Sequence, residues 1–122
     1  MLKKKVLEST VKKEVKKRLK AMGAYHFWPV QMGLGDVTLD CLGCYQGRCF
    51  GIETKAPGKM PTLQQRHTME RMRAAGALVL VIDGAKYGYD QLDYIESQSA
   101  SLGPIYDFDS KPVARRRTKT GT

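Results

Sequence analysis

Apolar residues recur along this 122-residue chain with two different periods. Near the start, Leu7, Val11, Val15, Leu19 and Met22 follow one another at spacings of four and three. That spacing predicts an amphipathic helix over residues 7–22, with Gly23 as its stop. Residues 24–30, "AYHFWPV", read as an aromatic-rich strand ended near Pro29, and "QMGLG" reads as a flexible loop. "DVTLDCL" and "RCFGIETK" read as two strands of a hairpin joined by the turn "GCYQG". After the rigid loop "APGKMP", Thr62 caps a helix that runs to about Ala75, and Gly76 closes it. "ALVLVID" is a continuous apolar run, which marks a fully buried strand. A loop and a short helix over about residues 90–98 follow. Irregular structure is expected from Gly103, then a mobile basic arm. The order α-β-β-β-α-β plus a late helix allows a right-handed crossover between the third and fourth strands. It predicts an α/β fold, a mixed sheet flanked by helices.

The length suits one domain, taken as residues 1–110, with residues 111–122 as a basic, flexible tail. No apolar run is long enough to span a bilayer, and the opening "MLKKKVLEST" turns polar at once, unlike a signal peptide. Three cysteines, Cys41, Cys44 and Cys49, are too few and odd in number for a disulfide scaffold, so a reducing, intracellular setting is expected. The net charge is +9, unevenly spread. Residues 1–20 hold nine basic and two acidic residues, a net of +7. Residues 111–122 hold five basic residues and no acid, and the body between them is net −3. Such a chain suits gripping a polyanion with its extremities and holding cations at its centre, and this reading is favoured over the bland one of a solvated helix and a disordered tail.

Helix geometry sharpens the reading of two single residues and of one basic face. With Leu7 at zero and about 100° per residue, Glu8 falls inside the apolar stripe, at about 100°. An acid there needs a partner, unless it frays at the helix start, where it also suits the dipole. In the second helix Gln65 falls on the side of Met69 and Met72, towards the sheet. It can orient a lysine, water or phosphate there, or simply bond to backbone. Lys12, Lys13, Lys16, Lys17 and Lys20 lie away from most of the stripe and form a basic face suited to DNA phosphates.

The chemistry concentrates in "GDVTLDC" and "GIETKAPGK". Glu53 and Lys55 are two apart in a strand, so they share a face in an apolar run where charge is costly. With Asp36 nearby, they form a small divalent-metal site with a cation beside it. Mg²⁺ takes oxygen ligands and one or two carboxylates, water filling the rest. Asp36 and Glu53 supply two ligands, the Thr54 carbonyl a third, and Glu8 can complete the shell directly or through water. Lys55 can position the attacking water or stabilise the phosphorane-like transition state. Asp40 has the parity of Asp36 and is either a further metal-side acid or a polar strand end. A zinc site is the competing use of Cys41-x-x-Cys44 with Cys49, His26 and His67, but His67 lies opposite the inward face of its helix. Tyr25, Phe27 and Trp28 read as core, with Tyr25 also suited to stacking on a base.

Taken together, Glu8…Asp36…Glu53-Thr54-Lys55…Gln65, with "APGK" and the closing "AAGA-LVLVID", resembles the VRR-NUC (virus-type replication-repair nuclease) family of the PD-(D/E)XK superfamily. The likeness covers about two-thirds of the chain. The family's G-x-P-D stands here as Gly33-Leu34-Gly35-Asp36, with glycine for proline. The resemblance implies a restriction-endonuclease-like αβββαβ core and an Mg²⁺- or Mn²⁺-dependent deoxyribonuclease. Glu8, Asp36, Glu53, Lys55 and Gln65 would be the catalytic set, with Asp36, Glu53, Thr54 and Glu8 at the metal. Lys12, Lys13, Lys16, Lys17, Lys59, Arg115, Arg116 and Arg117 are the expected DNA contacts. Stand-alone members of this size look phage-encoded, and similar small nucleases act as homodimers on branched DNA such as Holliday junctions. The expected protein is therefore a cytoplasmic, phage- or prophage-type endonuclease. The alternative is a non-catalytic nucleic-acid-binding protein that retains the fold.

Overall fold

The computed structural model describes residues 6–30 and 37–98, together with the backbone of one pair of short strands farther on. The first helix, α1 (Glu8–Met22), forms where the four-and-three apolar spacing predicts it. Val11, Val15 and Leu19 are fully buried along one stripe. Burying side chains of this size stabilises by roughly 1.5–3 kcal/mol each. Gly23 ends the helix in the left-handed conformation, φ 79°, which costs a glycine little.

A four-stranded sheet follows: β1 (Tyr25–Phe27), β2 (Cys41–Tyr45), β3 (Arg48–Thr54) and β4 (Leu78–Ile82), in that spatial order. The first three strands are antiparallel to one another, and β4 runs parallel to β3. The crossover between β3 and β4 is α2 (Leu63–Ala74), and α3 (Gln91–Ser97) comes after β4. This is the α/β, mixed-sheet architecture that the pattern predicts.

Three boundaries differ from the sequence reading. The strand predicted over 36–42 is instead Cys41–Tyr45, and the turn contracts to two residues. Gln46 and Gly47 both have positive φ, 44° and 80°, as a type I′ hairpin turn requires. Gly43 is a strand residue whose missing Cβ admits the Tyr25 carbonyl and the Phe50 ring. β1 stops at Phe27 rather than 30, and Pro29 cannot donate to a ladder. Beyond 103, where irregular structure is expected, Ile105–Tyr106 (β5) pairs antiparallel with Pro112–Val113 (β6). The rest of the predicted tail lies outside the described residues.

Alternation sorts the sheet into two faces. Cys41, Phe50, Ile52, Leu80 and Ile82 form one core with α1 and with Leu92 and Ile95 of α3. Gly51, Glu53 and Lys55 alternate onto the opposite face. There a Cβ on Gly51 would strike Met72 of α2 and Leu39. Among the described residues no helix is long and apolar enough to cross a membrane.

Candidate active site

The site forms where the β2–β3 hairpin opens, at the end farthest from its turn. Cys41 pairs with Ile52, so the residue before it, Asp40, arrives opposite Glu53. Asp40 Oδ2 accepts the Thr54 backbone N–H at 3.0 Å and the Thr54 hydroxyl at 2.7 Å, taking the place of a ladder carbonyl. Its Oδ1 lies 3.8 Å from Lys12 Nζ, which also reaches Glu8 Oε2 at 3.7 Å. Glu8 stands in the first turn of α1, so the helix delivers an acid and a lysine to the strand end.

Glu53 is 1% exposed, and its carboxyl shares a hydrogen bond with Asp40. Burial first, then that hydrogen bond and the Asp40 charge, push its pKa up to about 9; Lys55 pulls the other way and Glu8 adds to the rise. For Asp40 burial also favours the neutral form. Donation from Glu53, from both Thr54 groups and the charge of Lys12 outweigh it, holding Asp40 below the usual carboxylate range. One proton is thus shared between two acids and resides on Glu53. Lys55 is half-buried, and its N–H donates to Ile82 O at 3.0 Å, extending the β3–β4 ladder by one residue.

Glu53 Oε2 is buried and has no hydrogen-bond partner. Leaving such an oxygen unsatisfied costs about 1–3 kcal/mol. A hard divalent cation would satisfy it, and Asp40 and Glu53 provide the one or two carboxylates that Mg²⁺ requires. Among the described residues no three His, Cys, Asp or Glu side chains converge on one point, so the set is an open carboxylate pair. The C-x-x-C pair does not converge either: Cys41 is buried in the core, and Cys44, three residues on, is exposed on the other face.

Asp36 lies outside the described residues, as do Arg115, Arg116 and Arg117. Gln65 occupies the third position of α2, where its amide oxygen accepts the Thr62 N–H at 2.9 Å while Thr62 Oγ1 accepts the Gln65 N–H at 3.2 Å. This capping box engages its carbonyl oxygen at the helix's own start. Lys13, Lys16 and Lys17 are exposed on α1, and Lys16 Nζ stands 4.9 Å over the Trp28 ring; Lys59 is exposed after the "APG" turn. Lys12 differs from the open basic face expected of it, because at about 140° it borders the apolar stripe and lies one turn beyond Glu8. A further buried acid, Asp83 at the end of β4, was not picked out by the sequence pattern. Its Oδ1 accepts N–H from Ala85 and Tyr87, both at 2.8 Å, and Oδ2 takes Gly58 N–H at 3.5 Å, tying the loop after Lys55 to β4.

A solved structure described as "VRR_NUC domain" superposes on this chain with a TM-score of 0.57 at 26% sequence identity, covering 75% of this chain and 95% of that one. No family model matches the sequence, and no curated protein matches it. The mixed sheet, its helices and the carboxylates at the hairpin mouth define a restriction-endonuclease-like domain. Within that class the chain is similar in fold and sequence to the VRR_NUC domain.

Proposed function

We propose that this domain is an Mg²⁺- or Mn²⁺-dependent endonuclease that hydrolyses phosphodiester bonds in DNA, with Asp40 in the role expected of Asp36. The observation that carries this reading is the buried Asp40–Glu53 pair, with its unsatisfied Oε2, beside Lys55. A divalent cation held there acidifies water and neutralises charge on the attacked phosphate. Asp40 and Glu53 hold it through their carboxylates. In a strand the N–H and C=O of one residue point to the same side, so the Thr54 carbonyl faces the Asp40 edge with its N–H and can serve as a third oxygen. Glu8 sits in the outer shell through Lys12 or a water. Lys55, fixed at the backbone by β4, presents its ammonium to the phosphate and orients the attacking water. The exposed Lys13, Lys16, Lys17 and Lys59, with the arginines of the tail, supply phosphate contacts.

Structured or branched DNA is the proposed substrate and a homodimer the working form, since paired cuts on two strands need two copies of one site. The placement of charge supports this: basic extremities can reach around a junction that a mildly acidic body would not attract. The test is cleavage of duplex, flap, single-stranded and four-way DNA with Mg²⁺, Mn²⁺ or EDTA. Metal-dependent cuts that vanish in Lys55→Ala support the reading. Uncut DNA in every arm, or equal cutting by the variant, leaves a binding protein on a nuclease fold. Comparing Asp40→Ala with Asp36→Ala settles which aspartate holds the metal. Sedimentation showing only monomer, with and without DNA, would exclude the dimer.

A further inference from the structure

The sheet face that carries Glu53 and Lys55 is covered unevenly. Met72 of α2 reaches it at Gly51. Towards the edge strand it opens, and two aromatic rings stand in water there: Tyr25 is 70% exposed and Phe27 55%. They are two residues apart on β1, so both project from the same side. The register sets Phe27 beside Leu42 and Tyr25 beside Cys44. Leu42 is in turn two residues from Asp40, about 7 Å along the strand. A track of apolar surface therefore starts one strand step from the carboxylate pair and runs out over Leu42 to the two rings. Leu42 also floors a groove of about 340 Å³ between β2 and α2, walled by Val37, Met72 and Arg71.

The identity of these side chains narrows the occupant. Flat aromatic rings at a spacing of about 7 Å match extended nucleotides, whose bases have faces to stack on only when they are unpaired. Arg71 at the groove wall supplies a cation for the phosphates of such a strand. We propose that this face binds two or three unpaired nucleotides of the DNA strand next to the scissile phosphate, with bases stacked on Phe27 and Tyr25 and seated over Leu42, and Arg71 on the backbone. The proposal rests on the nuclease reading for its substrate and for the proximity of the cut. It makes the single-stranded part of a branch or flap something the protein holds rather than ignores.

The experiment measures fluorescence anisotropy of a labelled oligothymidylate and of a labelled duplex, in EDTA so that neither is cut. Wild type is compared with Tyr25→Ala/Phe27→Ala and with the ring-preserving Tyr25→Phe/Phe27→Tyr. Both residues are exposed, so the variants should fold, and thermal unfolding checks this. The alanine pair should weaken oligothymidylate binding about tenfold or more, leave duplex binding within about twofold, and the ring-preserving pair should restore it. Unchanged oligothymidylate affinity, or an equal loss for both DNAs, would overturn the proposal. So would a DNA-free dimer that becomes monomeric in the alanine pair, since the face would then belong to a second copy. Binding in EDTA is read apart from cleavage: loss of the stacking contrast in a protein that still cuts removes this proposal alone, and absence of cutting with the contrast intact removes only the nuclease reading.

Discussion

Two acids are equally hidden from solvent at the ends of adjacent strands, and their surroundings treat them in opposite ways. Glu53 near the end of β3 and Asp83 just past β4 are each 1% exposed, and the parallel register that pairs Thr54 with Ile82 brings them close. Asp83 is met by the backbone N–H groups of Ala85, Tyr87 and Gly58. Burial raises its pKa, but those donors outweigh it and hold the carboxyl below its usual range. Glu53 is met by another carboxylate, keeps one oxygen without a partner and holds its proton up to about 9. Low exposure alone does not fix the charge state of an acid; the donors around it and the depth of its surroundings do. Asp83 is complete within the protein. The Asp40–Glu53 pair is not, and under the proposed function a cation would complete it by replacing the shared proton.

The largest effect expected from that contrast is on cleavage. Lys55→Ala or Glu53→Gln should lower the single-turnover rate on the best DNA substrate by about 10³-fold or more, the scale of losing a group that stabilises transition-state charge. Asp83→Ala, measured on the folded fraction, should lose far less, because Asp83 acts through the loop it anchors. Equal losses in all three would erase the distinction between the two acids.

The next largest effect is on stability, where the order reverses. Asp83→Ala leaves three backbone N–H groups without their charged acceptor and should cost about 3 kcal/mol, a fall in melting temperature of about 10 °C. The pH dependence has a defined sign. The folded pKa of Asp83 is depressed, so its contribution is present above the unfolded carboxylate value near 4 and is lost as pH falls through the folded value. The difference between wild type and Asp83→Ala should therefore shrink on acidification. A gap that is constant across that range would mean the donors do not stabilise the charge.

Glu53→Gln should do the opposite in the metal-free protein. The folded pKa of Glu53 is raised, so its favourable contribution is full below the unfolded value of about 4.5 and declines as pH rises towards 9. Glutamine keeps a donor for Asp40 and cannot ionise. It should stabilise the protein near pH 8, by roughly 5 kcal/mol at the upper bound set by the full shift, and by little near pH 4. Mg²⁺ should then stabilise wild type but not the variant, and its binding to wild type should release a proton, visible as a buffer-dependent heat in calorimetry. Metal binding without proton release would place the ion elsewhere.

Much of this molecule is legible from the chain because local signals agree with the tertiary outcome. The first helix shows both its period and its glycine stop; "ALVLVI" shows its strand, but the full burial read from its continuous apolar run does not hold, since β4 is an edge of the described four-stranded sheet with Val79 and Val81 half-buried. Glu53 and Lys55 are readable together because strand parity ties them. The misplacement of the hairpin has a physical source: Gly43 looks like turn material, yet it is a glycine kept free of a side chain so that Phe50 can cross it. Had Gln46-Gly47 been taken as a two-residue turn, counting six residues outward on each side would have led to Asp40 and Glu53. The partnership of Lys12 with Asp40 joins elements far apart in sequence, and no local period encodes it. Asp83 hides in an Asp-Gly pair, which reads as an ordinary turn although the carboxylate organises the loop around itself.

The smallest effect concerns Gln65, which the helix period directs towards the sheet and the structure engages at the start of α2. Two roles make different demands on the side chain. A capping box accepts glutamate as readily as glutamine, since only a carbonyl-type oxygen is needed at Thr62 N–H. An amide that orients water or Lys55 in the site needs its NH₂ group, and a carboxylate would add a third negative charge beside Asp40 and Glu53. Gln65→Ala should therefore cost about 0.5–1 kcal/mol, a fall of a few degrees in melting temperature, and Gln65→Glu should recover it. If the residue is a cap alone, cleavage by both folded variants stays within a few-fold of wild type. If its NH₂ also serves the site, Gln65→Glu melts like wild type yet cuts much more slowly. The capping geometry favours the first outcome, which would confine the reactive chemistry to the mouth of the β2–β3 hairpin and leave α2 as a wall beside it.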